Sequence, residues 1–177
     1  MILTTQEFDM KTPTAYHQLG KFIVSFQYVE ATINDILILL AEADDDAVLI
    51  LANELDYSAR LKTADVLFAR FVDMRDIIES SAKDDFHKLI NVLHKLGERR
   101  NDFVHSNYSP WINVERNIGL IRENYKLRGK RGIRERLEEE LLPETFSADL
   151  ERINKSLADL ESFRLRIIDW LYPDLQT

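Results

Sequence analysis

Apolar residues recurring at helical spacing constrain this chain more than any other feature. Leu19, Ile23, Phe26, Ile33 and Leu37 mark one stripe, and Leu150, Ile153, Leu157, Leu160, Phe163, Ile167, Ile168 and Leu171 mark another. At ~100° per residue each set falls on one side of a helix and needs a surface to bury it. The first stripe predicts a helix from Thr12-Pro13, where a capping hydroxyl and a first-turn proline suit a helix start, to about Glu42. Residues 1–11 have no periodicity and read as an N-terminal arm. Asp44-Asp45-Asp46 caps a short helix from Ala47 to about Leu55, where carboxylates suit the helix dipole. Leu61, Ala64, Val66, Leu67, Phe71 and Met74 predict a third helix to about Ile78. Ser80 or Ser81 starts a fourth through Phe86, Leu89, Leu93 and Leu96, and Ser147 caps the last, which stops before Pro173. Helices joined by short links predict an all-α fold, an up-down bundle of about five helices, in a single domain spanning residues 1–177. Only 5 Gly and 4 Pro leave little room for a turn-dense β fold.

Residues 112–145 interrupt this pattern as a basic insert before the last helix. Ile118 to Leu127 mixes apolar and polar residues without helical spacing, and Arg128-Gly129-Lys130-Arg131-Gly132 reads as a turn. A short basic β-hairpin over about 117 to 139 follows. A helix along Arg134, Glu135, Leu137, Glu138 and Leu141, with charge pairs four apart, is the other reading. The chain's net charge of −8 argues against a nucleic-acid partner. Its distribution argues the reverse: eight basic residues against two acidic ones between Arg116 and Arg136 make that segment +6 and leave −14 on the rest. Arg122, Lys126, Arg128, Lys130 and Arg131 are therefore candidate contacts for nucleic-acid phosphates, weighed against a merely solvated hairpin.

Other classes find no support. The 177 residues contain no cysteine, so neither disulfides nor thiolate metal sites are used, which fits a reducing cytoplasm. No basic region precedes an apolar core at the N-terminus and no 18-residue uncharged run occurs, so the chain reads as neither exported by that route nor membrane-spanning. No Gly-rich phosphate loop, Ser-His-Asp order or paired-carboxylate site stands out. His87 and His94 share a side with Asn101 at seven-residue steps, but ~10.5 Å of helix rise separates each step, too far for one metal ion. No metal and no cofactor is expected.

One constellation carries chemistry, at the end of the fourth helix: Glu98-Arg99-Arg100-Asn101-Asp102-Phe103-Val104-His105. Arg100 falls within roughly 40° of Phe86, Leu89, Leu93 and Leu96, so its guanidinium leaves the helix on the core side and must be paired. Glu30 is likewise the lone charge within the first stripe, and the two are expected to meet. On an unbroken helix His105 would point about 140° from Arg100. Pro110 disfavours helix at Ser109 and Asn107 suits a left-handed cap, so the helix is expected to fray between Val104 and Asn107 and let His105 swing back. Asn101, four residues before His105, shares its face and could orient the imidazole. Tyr108 and Trp111 follow in a loop, as wedges rather than base-stacking platforms.

The stretch Arg100-Asn101-Asp102-Phe103-Val104-His105 resembles the Arg-X(4-6)-His motif of HEPN domains, with Asn101 as the polar residue that usually follows the arginine. The resemblance implies a helical bundle and a metal-independent endoribonuclease of toxin–antitoxin, abortive-infection or phage-defence type. It implies RNA cleavage by attack of the ribose 2′-OH, leaving a 2′,3′-cyclic end. His105 would be general acid or base, Arg100 would stabilise the phosphorane oxygens, Asn101 would orient the histidine and Glu30 would hold the arginine. It further implies a symmetric homodimer bringing two motifs into one cleft, and an antitoxin protein as partner. The rival reading is a non-catalytic HEPN-like module that binds a partner protein, in which Arg100 and Glu30 are a core pair and His105 is incidental.

Overall fold

The computed structural model describes residues 5–173, except the side chains of residues 5–13, Arg128 and Arg131. The described elements are α1 (Thr5–Ala41), α2 (Asp45–Asn53), α3 (Tyr57–Asp73), α4 (Ser81–Val104), β1 (Asn107–Ile112), β2 (Ile118–Arg128), a 3-10 turn (Gly129–Arg131), β3 (Ile133–Leu141) and α5 (Thr145–Leu171). The described residues are mostly helical, with five α-helices, but β1, β2 and β3 form an antiparallel sheet in that order, which corrects the all-α expectation. The chain divides into two compact units, Met1–Ser25 with Arg99–Glu151 and Phe26–Glu98 with Arg152–Thr177.

The second of these units is helical, and its core is read directly from the stripes. Phe26, Val29, Ile33 and Leu37 of α1, Leu61 and Phe68 of α3, Phe86 and Leu93 of α4 and Ile153, Leu160 and Ile167 of α5 are buried. Phe68 stacks on Phe86 with centroids 4.2 Å apart and meets Phe163 edge-on at 5.6 Å, arrangements that add to simple area burial. The start of α2 is capped as expected, with Asp44 accepting from the Ala47 N–H at 2.9 Å, and α3 is capped by Asp56, which accepts from the Ala59 N–H at 2.7 Å. The third helix ends at Asp73 rather than near Ile78, which is buried within the following turn.

The first unit is where the sheet lies. Ala15 and Phe22 of α1, Phe103 of α4, Ile118 and Leu120 of β2, Leu141 of β3 and Phe146 of α5 form its core. Phe103 sits between Phe22, edge-on at 4.8 Å, and Phe146 at 5.6 Å. Directly opposed residues of antiparallel strands share a face. The pairs Leu120↔Leu141 and Arg122↔Glu139 therefore lie on the core-facing side. Asn107, Ser109 and Trp111, with Arg134, Arg136, Glu138 and Glu140, lie on the open side.

The basic hairpin expected over 117–139 forms as β2 and β3, and the alternative helix along Arg134 to Leu141 does not. Strand β1 is a correction: Tyr108 and Trp111 are strand residues, not a loop. Pro110 misleads there, because a proline lacking its N–H is tolerated on an edge strand such as β1. Helix α1 begins at Thr5, so residues 5–11 of the arm expected over 1–11 are helical, and residues 1–4 lie outside the described residues. By length and composition Thr14–Ala41 is apolar enough to cross a membrane, with a mean hydropathy of 1.4. A core helix passes the same test, and Phe22, Phe26, Val29, Ile33 and Leu37 are buried.

Candidate functional site

The last turn of α4 is held shut by borrowed donors. A helix end leaves its final carbonyls without intrahelical partners. Here the Asn101 carbonyl accepts from the His105 N–H at 3.0 Å, and the Asp102 carbonyl accepts from the Ser106 hydroxyl and from Arg122 Nη1 at 3.0 Å. The Phe103 carbonyl accepts from the Tyr108 hydroxyl at 2.7 Å. No left-handed cap is needed, and Asn107 is not one: among the described non-glycine residues only Glu42 and Arg116 have positive φ.

This closed turn carries the motif. Asn101 and His105 are exposed, one helical turn apart, and Arg100 is half-buried beside them. Arg100 Nη1 donates to Asn101 Oδ1 at 3.0 Å, so the amide oxygen is engaged. Glu30, expected opposite Arg100, belongs to the helical unit, where its carboxylate accepts from Arg60 Nη2 at 3.4 Å. Arg60 also donates to Asn34 at 3.4 Å. In the same unit His87 Nδ1 lies 2.7 Å from Asp65 Oδ2, and His94 is half-buried. Among the described residues no group of three or more His, Asp or Glu is placed to hold a metal ion.

Sequence reasoning overlooked the arginine one position earlier. Arg99 Nη1 and Nη2 grip the two oxygens of Glu139 at 2.8 Å each, its Nε donates to Asp149 at 3.0 Å, and its guanidinium lies 4.1 Å over the Phe103 ring. Arg122, 7% exposed, closes the network: Nε and Nη2 reach Glu139 at 2.9 Å, and Nη1 also donates to Ser106 Oγ at 3.1 Å. Burial pushes the Glu139 carboxyl up, but Arg99 and Arg122 outweigh it and hold its pKa below the ordinary value of 4.5. Burial raises the Tyr108 phenol to about 12 against the opposing pull of Arg122 and Arg99. The same two carboxylates outweigh burial at Arg99 and raise its pKa further. One signal for the network is visible in the sequence: Arg122 and Glu139 stand two residues from Leu120 and Leu141, in phase with the buried face of their strands.

Arg122 is therefore removed from the candidate phosphate contacts, since its donors are spent on Glu139, Asp102 and Ser106. Lys126 and Lys130 are exposed on the hairpin, while the side chains of Arg128 and Arg131 lie outside what is described. Arg134 lies 3.6 Å over the Tyr125 ring, and Arg136 pairs with Glu123 and Glu138. Between Asn124 and Arg134 the hairpin carries five cations and no acid. Comparison with protein-family models, with curated proteins and with solved structures finds no match for this chain.

Proposed function

We propose that the protein is a cytoplasmic, metal-independent endoribonuclease of the HEPN type, with Arg100, Asn101 and His105 as its catalytic group and RNA as its substrate. A role in a toxin–antitoxin or phage-defence system is part of this reading. The observation that carries it is the exposed pair Asn101 and His105 on one closed helical turn, with the Arg100 guanidinium anchored on the Asn101 amide. A proton acceptor and a fixed cation are the two things that phosphodiester transesterification asks of a protein. His105 takes the proton from the ribose 2′-OH as that oxygen attacks phosphorus. The bond to the 5′-oxygen breaks, that oxygen takes a proton from solvent, and a 2′,3′-cyclic phosphate remains. Arg100 neutralises the charge that builds on the phosphorane oxygens. Lys126 and Lys130 supply sequence-independent attraction for the backbone.

The test uses the purified chain, a single-stranded RNA oligonucleotide and a chelator. Cleavage to 2′,3′-cyclic ends is expected, falling about 100-fold or more in His105→Ala, with the melting temperature held because His105 is exposed. Absence of cleavage, or cleavage indifferent to His105→Ala, would replace this reading with that of a helical module binding a partner protein.

A further inference from the structure

Among the described residues no further strand lies on the outer edge of β3. Strand order β1-β2-β3 puts β2 on one side of it, and among the described residues no other backbone hydrogen bond reaches Ile133–Leu141. Nine residues of free edge without proline form a template for another strand, and sequences ordinarily blunt such edges. The charges on this one are arranged differently. On the open face its first half presents Arg134 and Arg136 and its second half Glu138 and Glu140. Within the subunit Arg136 has acidic partners in Glu123 and Glu138, whereas Arg134 lies over Tyr125 and neither it nor Glu140 has an ion-pair partner among the described residues.

We propose that β3 pairs antiparallel with β3 of a second copy of this chain about a two-fold axis through Leu137, making one six-stranded sheet. In that register Arg136 stands opposite Glu138 of the second copy and Arg134 opposite Glu140, and symmetry repeats both pairs. Directly opposed residues of an antiparallel pair interact across the strands, so all four contacts are between unlike charges. On the other face Leu137 meets its own copy, and the exposed Ile133 meets Leu141. Glu135 stands opposite Glu139, the carboxylate already held by Arg99 and Arg122. No neighbouring register is equivalent: a shift of two residues sets Glu138 against Glu138 or Arg136 against Arg136. Unlike charges therefore select both the partner, a second copy, and the alignment.

The axis has a consequence for the motif. Five strand spacings of ~4.8 Å set the two β1 strands about 24 Å apart. Each His105 turn leads into its own β1, so the two motifs work separately in this dimer rather than in a shared cleft.

Charge exchange tests it on the full chain by sedimentation equilibrium. The wild type is expected to be a dimer. Arg134→Glu with Arg136→Glu turns all four cross-axis contacts into acid against acid, and Glu138→Arg with Glu140→Arg turns them into base against base. Each double variant should raise the dimer dissociation constant on the order of 100-fold, and an equimolar mixture should restore a heterodimer in which all four pairs are again unlike. The cysteine-free background allows a second measurement that leaves these charges alone. Leu137→Cys should form an intersubunit disulfide on mild oxidation, because the two positions oppose each other at the axis, and Leu127→Cys near the hairpin end should not. A monomeric wild type, double variants that still dimerise, a mixture that stays monomeric, or a Leu137→Cys chain that fails to cross-link would overturn the proposal. The monomer would leave the edge to a strand of another protein.

Discussion

Replacing Glu139 by Gln keeps the side-chain volume and removes the charge on which two arginines converge. The carboxylate receives Arg99 Nη1 and Nη2 at 2.8 Å and Arg122 Nε and Nη2 at 2.9 Å. Removing one partner of a buried ion pair costs about 3–5 kcal/mol. Solvent reduces that here, because the side chains of Glu139 and Arg99 are 29% and 20% exposed. Asp149 stays on Arg99, and the Asp102 carbonyl and Ser106 stay on Arg122. The remaining cost is about 2–3 kcal/mol at pH 7, most of it from Arg122, whose side chain is 8% exposed. For a chain of this size that lowers the melting temperature by about 4–12 °C. The pH dependence has a definite sign. Glu139 titrates below 4.5 when folded and near 4.5 when unfolded, so its contribution is complete above that value and is lost as pH falls through the folded pKa. Thermal melts of both proteins from pH 7 to pH 3 should show a constant gap that closes below pH 4.5. A gap under about 1 kcal/mol at pH 7, or one that persists through acidification, would refute the argument that this carboxylate secures the sheet to the end of α4.

Two further substitutions probe single contacts. Gly119→Ala should destabilise by about 3 kcal/mol by urea titration, at the upper end for overpacking, because a Cβ there would overlap the backbone carbonyl oxygen of Leu141, which cannot rotate away; a cost below about 1 kcal/mol would show that β2 and β3 can separate locally. Glu30→Ala should cost about 3 kcal/mol and Glu30→Gln less, since Arg60 and Glu30 are 17% and 12% exposed and Arg60 Nε is already buried without a hydrogen-bond partner; equal melting temperatures for wild type and Glu30→Ala would make this pair energetically idle.

The helices follow from local rules. A stripe at 3.6-residue spacing, an aspartate at the start and a proline near the end act within one or two turns, which is why the starts of α2 and α3 and the motif's place at the end of α4 are legible without coordinates. The turn at Gly129–Arg131 is equally local, and with it the β2–β3 hairpin. Contacts at long sequence separation decided the rest. Strand β1 exists because β2 supplies its hydrogen bonds, while its own proline and short length signal a loop. Arg99 stands one position and ~100° from Arg100 on the helix, and nothing nearby in sequence says whether carboxylates hold it. That choice belongs to Glu139 and Asp149, forty and fifty residues further along the chain. Arg122 shows the same limit: composition counts it as one more cation on a basic hairpin, and only the tertiary fold turns its strand face inward and spends its charge on Glu139 and the helix end. Charge is countable in a sequence, but whether it meets solvent, RNA or a buried carboxylate depends on which surfaces the fold brings together.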